Sequence, residues 1–457
     1  MSARSESSPP SSHEPSSGLR SLFARAEPYE RKALALAFVC NFVLMGSYYI
    51  LRPVRDTMAT VFGADRLQDL FTGTLILTLI CSPLYAWITD TFRLSRVLPG
   101  VFWFLIVALF AFGAWFETAP DSRVLAAVFY WWFSVVNLFI VSVFWSLMVD
   151  IFTSTQAARL LPAITAGGSL GAIAGPVVTS LFVHRVGTSG LLGIAAGGFL
   201  GVIVFVHFLM REKKWLQDAR KETQVSTLDH KLQGNLFEGF TALFKSSYLM
   251  NQAVFFLLMT WIATIGYFLQ TELVAKAFTD LADRTRALAD IDLVVNIASA
   301  IIAIFGVSRF ISRFGVTGSL ILNPILMAVS FVLMALSPTL LMLQAMQALR
   351  RVTQYAIARP SREICFTVVE QENRYKAKNV IDTVIYRLGD LTSAWGQTGL
   401  RALGVGMTGI LGAGLVASGL WAVSAWMLGR QYERRRAEQI STTQRPEGPP
   451  ASALKPE

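Results

Sequence analysis

Apolar residues run in long blocks from Leu34 to Leu428, separated by short polar turns. Blocks such as Val97 to Phe116 and Val124 to Val149 are continuous rather than alternating. A membrane β-strand alternates apolar and polar positions over about ten residues, so these blocks are predicted to be helices. Hydrocarbon offers the backbone no partners, and a helix satisfies its own N–H and C=O groups. Windows of about twenty residues place spans at 33–54, 67–88, 97–117, 124–150, 160–184 and 189–210. A second set follows at 248–271, 290–313, 317–337, 339–359, 377–402 and 406–429. The fold class expected is all-α, a polytopic membrane protein of about twelve transmembrane helices in two six-helix bundles.

The longest polar interruption, Arg211 to Ser247, divides the spans six and six. The organisation expected is a disordered cytoplasmic N-terminus at 1–32 and a first bundle at 33–210. A cytoplasmic linker follows at 211–247, then a second bundle at 248–429 and a cytoplasmic, partly disordered tail at 430–457. Within the linker, Gly234 to Lys245 repeats large apolar residues at helical spacing, the pattern of an amphipathic helix lying on the membrane surface.

Composition sharpens the membrane reading. The chain is 53% hydrophobic and only 15% charged, against about 25% charged in soluble domains. The net charge of +10 would suggest nucleic acid in a soluble protein. Here the basic residues cluster in alternate loops, at Arg20/Arg25/Arg31/Lys32, Arg93/Arg96, Arg211/Lys213/Lys214, Arg309/Arg313 and Arg374/Lys376/Lys378. Cationic loops stay in the cytoplasm, which predicts both termini inside, a multi-pass place in the inner membrane and no nucleic-acid partner. The three cysteines and four histidines show no disulfide or metal spacing. No hydrolase, kinase or nucleotide-hydrolysing motif is present, so neither an enzyme nor a cofactor is expected. Ala166 to Pro176 is glycine-rich but lacks a phosphate loop's lysine and preceding strand; close helix packing explains it.

Charges inside the spans carry the candidate chemistry. The first span closes on Tyr48-Tyr-Ile-Leu-Arg-Pro-Val-Arg-Asp56, with Arg52 and Arg55 three apart. Either they snorkel to headgroups or they face the interior, where a guanidinium fork suits phosphate or carboxylate. The tenth span carries Arg350 and Arg351 near its middle and Arg359, Arg362 and Glu363 near its end. The eleventh carries Lys378, Asp382, Arg387 and Asp390. A structural ion-pair ladder and an anion path both fit that set. Asp56, Asp90, Asp150, Glu363, Asp382, Arg387 and Asp390 are expected in gate or ion-pair roles, since acids in spans pair with cations or relay protons.

Tyr48 to Asp56, Tyr375 to Asp390 and Arg359-Pro-Ser-Arg-Glu363 resemble motifs of the ATP:ADP antiporter family within the major facilitator superfamily. That resemblance implies alternating access and an anionic, phosphorylated substrate, with ATP/ADP exchange its sharpest version. It also implies substrate contacts at Arg52, Arg55 and Lys378; Arg350 is expected to complete a basic cavity with Lys378, and the protein is expected to be a monomer surrounded by lipid. Arg55 stands where the family motif presents a lysine. The competing expectations are a proton-coupled permease for another solute, and a non-transporting membrane scaffold or sensor.

Overall fold

The computed structural model describes residues 26–91, 94–219 and 236–443. Among the described residues there is no strand, and twelve spans form two six-helix bundles. The first four are Arg31–Phe62, Leu67–Thr91, Leu94–Thr118 and Arg123–Ile151. The fifth and sixth are the two limbs of Ser154–Ala219, broken at Gly187, whose φ of 69° lies in the left-handed region open to glycine. A short helix, Leu236–Lys245, precedes the seventh span, Ser247–Ala277.

The eighth span begins at Leu281, nine residues before the start read from hydropathy, and runs to Phe305. A further helix, Val307–Leu336, breaks at Gly315 (φ 67°), so its first turns extend the eighth span and the remainder is the ninth. The tenth joins Leu340–Thr353 to Arg359–Cys365 through a π-helical turn at Gln354–Ala358. The eleventh joins Gln371–Val380 to Tyr386–Ala402 through a second π turn at Ile381–Ile385. The twelfth is Met407–Thr443. The expectations for residues 1–18 and for the end of the tail fall outside the described residues.

Local chemistry fixes where several spans start. Ser122, Ser246, Asp280 and Thr339 each accept a backbone N–H of the first turn that they precede. Such a cap is worth about 0.5–2 kcal/mol. The glycine-rich stretch serves packing: a Cβ on Gly167, Gly171 or Gly175 would run into the backbone of Phe38, Phe42 or Gly46. The fifth span therefore lies directly against the first. Each half buries its own apolar core, one around Leu51, Phe129 and Phe199, the other around Phe256, Phe331 and Trp421.

The halves meet on the side opposite that where the first span begins. There Thr57 bonds Thr285 at 2.8 Å, Arg284 donates to Thr60 at 3.1 Å and Ser180 donates to Asp290 at 2.7 Å. Trp395 donates to Thr72 at 3.0 Å, and Ala59, Leu70, Phe268 and Ala394 form an apolar plug between the halves. On the other side the ion pairs among the described residues stay within one half: Lys32–Glu212, Lys213–Asp150, Lys378–Glu363 and Arg362–Asp382. The molecule is thus sealed on the far side.

Candidate substrate cavity

Beneath the seal lies a cavity of about 480 Å³ between the halves. Five arginines line it: Arg52 and Arg55 from the first span, Arg350 and Arg351 from the tenth, and Arg387 from the eleventh. Six tyrosines share the wall, Tyr48, Tyr49, Tyr130, Tyr267, Tyr355 and Tyr386. The two π turns act here. A π turn inserts one extra residue and re-aims the side chains around it, often at functional sites. Gln354 and Tyr355 lie in the first, and Tyr386 and Arg387 directly follow the second; all four line the cavity.

Each arginine is held differently. Arg55 bonds Asp56 through Nε at 2.9 Å and lies over the rings of Tyr130 and Phe133. Asp56 also accepts from the Tyr267 hydroxyl at 3.1 Å, which ties the first span to the seventh. Arg52 lies over Tyr49 and has its Nε 3.7 Å from Asp292 Oδ2. Arg351 Nη1 meets Asp292 Oδ1 at 2.6 Å. Arg387 stands 4.0 Å from Asp390, which accepts from Thr264 at 3.1 Å.

Arg350 differs from the rest. It is 9% exposed and is oriented by two neutral amides, through Nε to Gln347 (3.0 Å) and Nη1 to Gln354 (3.2 Å). Gln347 is fixed in turn by the Gly266 carbonyl and Gln270. Among the described residues Arg350 has no carboxylate within ion-pair distance, and Nε and Nη2 of Arg351 are buried without a hydrogen-bond partner. Five guanidinium groups thus face three carboxylates, Asp56, Asp292 and Asp390, leaving two positive charges uncompensated. Removing one partner of a buried ion pair costs about 3–5 kcal/mol. Such an excess of cations offers guanidinium forks to which a phosphate or carboxylate can bind.

Of the residues read from sequence, Arg52, Arg55, Arg350, Arg387 and Asp390 meet at this cavity, with Asp56 behind Arg55. Lys378 is placed elsewhere: it pairs with Glu363 where the eleventh span begins and is not on the cavity wall. Arg362 and Asp382 complete that ladder at 3.7 Å, with Arg362 over the Phe256 ring. Asp150 pairs with Lys213 inside the first half at 2.7 Å. Asp90 is helical in backbone, and its side chain lies outside the described residues. The sequence reading missed Asp292, because hydropathy started the eighth span only two residues before it. Asp280 at the cap position and Asp283 in the first turn were the available signal for the earlier start.

Residues 37–357 match the family model of the Major Facilitator Superfamily. No curated protein matches the chain. Among solved structures, a bacterial homologue of the iron transporter ferroportin, in an inward-facing state, aligns with TM-score 0.62 at 11% identity, covering 87% of this chain and 98% of that one. The POT family transporter PepTSo aligns with TM-score 0.60 at 12% identity, over 89% and 99%. The nucleoside transporter NupG aligns with TM-score 0.52 at 15% identity, over 88% and 98%. Identities this low speak for the fold and not for the cargo. A family match over more than half the length, on twelve spans in two bundles around a central cavity, makes this chain a member of the Major Facilitator Superfamily.

Proposed function

We propose that the chain is a secondary transporter carrying a small anionic, phosphorylated metabolite by alternating access, with ATP/ADP-type nucleotide exchange as the sharpest version. The observation that carries this reading is the pair of uncompensated charges in the cavity, centred on Arg350. A guanidinium fork binds phosphate or carboxylate through two parallel bonds. The cavity volume of about 480 Å³ lies within the roughly 300–1,000 Å³ typical of metabolite sites. The tyrosines add flat faces against which a planar ring can stack.

In this reading Arg52, Arg55, Arg350 and Arg351 contact the acidic group, and Lys378 braces the gate with Glu363. Asp56, Asp150, Asp382 and Asp390 hold arginines and lysines in place between states, Arg387 being the partner of Asp390. The protein acts as a monomer in the inner membrane with both chain ends in the cytoplasm, and the sealed side then faces outward. Transport follows when the halves rock about the cavity. The test is counterflow in proteoliposomes: radiolabelled ADP, a sugar phosphate and a dicarboxylate are offered to vesicles loaded with the same compound unlabelled. Saturable uptake of ADP or the sugar phosphate, lost in Arg350→Gln, supports the reading; uptake of the dicarboxylate alone moves the cargo to carboxylates, and no uptake of any anion sinks it.

Asp390 favours a second reading, proton coupling. It lines the cavity with only Thr264 bonded and Arg387 at 4.0 Å, so its charge is loosely matched. Uptake driven by a pH gradient and abolished by Asp390→Asn, with counterflow intact, would select it.

A further inference from the structure

The structure assigns Asp292 as the internal counter-ion of the substrate site: it holds Arg52 when no anion occupies the cavity and yields Arg52 to the substrate's acidic group. This inference rests on the anion-carrier reading above. Asp292 belongs to the eighth span, in the second half, while Arg52 belongs to the first span, in the first half. Its side chain is 3% exposed, so its charge acts on its immediate neighbours with little solvent screening.

The two oxygens are used unequally. Oδ1 is committed to Arg351 at 2.6 Å, a strong charge-assisted bond within the second half. Oδ2 faces Arg52 Nε at 3.7 Å, beyond hydrogen-bonding distance, and is buried with no hydrogen-bond partner. Arg52 thus feels a carboxylate that does not bind it fully. Its guanidinium is also on the cavity wall, where a phosphate or carboxylate could offer the contact that Oδ2 does not. Arg351 stays with Asp292 while Arg52 changes partner. Because Arg52 and Asp292 lie in different halves, the exchange of partners also slackens one cross-link between them. The neighbouring cross-link Thr57–Thr285 joins the same two spans, and Ser180–Asp290 ties the fifth span to the eighth, so loosening is felt along the seal.

A competitor built into the site lowers affinity and speeds release. Asp292→Asn keeps the size and one carbonyl oxygen for Arg351 but deletes the competing charge. ADP and inorganic phosphate are the probes, with binding read by thermal stabilisation of the full chain in detergent and by counterflow in vesicles. Asp292→Asn is expected to bind about tenfold tighter, a gain of roughly 1.4 kcal/mol, with KM and kcat both falling. Asp292→Glu should restore near-native values, a recovery that loss of packing alone would not give. The double variant Asp292→Asn, Arg52→Gln should bind no tighter than Arg52→Gln alone. Folded Asp292→Asn with unchanged or weaker binding overturns the inference while leaving the carrier reading intact. If Asp292→Asn does not fold, an Asp292→Glu protein with kinetics no closer to native than any other Asp292 variant overturns it as well. Wild type that binds no anion overturns the carrier reading and the counter-ion with it.

Discussion

Two clusters of charge sit inside the membrane region, and their sequences look alike. One is the set of arginines on the cavity; the other is the ladder of Arg362, Glu363, Lys378 and Asp382 where the tenth span ends and the eleventh begins. Among the described residues the ladder's ion pairs join two cations to two carboxylates, all within the second half, with Arg359 close by. The cavity set does not close: five cations from both halves meet three carboxylates, and Arg350 is held by amides alone. Charge in a span thus has two meanings. Where a charge has an internal partner it braces the fold, and where neutral groups orient a cation that has none, a positive charge is left that an anion can match.

The largest effect expected from breaking this contrast is on stability, at Arg351→Ala. Removing it leaves the buried Asp292 with only the distant Arg52, a loss of about 3–5 kcal/mol, read as a clear fall in the melting temperature of the purified protein. Next comes Arg350→Gln, which removes a cation that neutralises no carboxylate. Stability should stay near native while anion affinity falls about 10- to 100-fold, matching the roughly 1.5–3 kcal/mol of a charged hydrogen bond. A smaller effect is expected for Tyr267→Phe. It deletes the bond to Asp56 across the halves, worth about 0.5–1.5 kcal/mol, and should raise labelling of a cysteine introduced on the sealed side. The least is expected for Lys378→Gln. This half-exposed pair contributes about 0–1 kcal/mol, so binding should stay within about twofold; a large loss of affinity there would erase the distinction between the clusters.

Most of the fold was legible because continuous apolar blocks leave few alternatives in lipid. Among the described residues eight helices are long and apolar enough to be recognised as spans by those criteria alone. The tenth and eleventh are not among them, because the π turns divide them into helices of 17 residues or fewer, and these pieces carry Arg350, Arg351, Arg387 and Asp390. The motif at Tyr48 to Asp56 drew attention to Arg52 and Arg55, which the fold places on the cavity wall. The π turns were not legible, since nothing in Gln354–Ala358 or Ile381–Ile385 signals one extra residue in the turn. Nor was the difference between Arg350 and Lys378. Both are cations on helices bordering the same region, and only the packing reveals that one has a carboxylate partner. Asp292 was lost to the hydropathy window: Asp280, Asp283, Arg284 and Arg286 depress the start of the eighth span. Arg284, which donates to the Phe278 carbonyl and to Thr60, belongs to the helix all the same.

The most direct test of the central claim is anion binding to purified wild type, Arg350→Gln and Lys378→Gln, followed by thermal stabilisation at low and at high salt. Ligand bound to the native state raises the melting temperature, and attraction between exposed charges fades as salt is added. The result expected is a salt-resistant shift with at least one phosphorylated metabolite, kept in Lys378→Gln and lost in Arg350→Gln. Equal shifts in all three proteins, or shifts that vanish with salt, would contradict the claim that the unpaired cavity arginines are the substrate site.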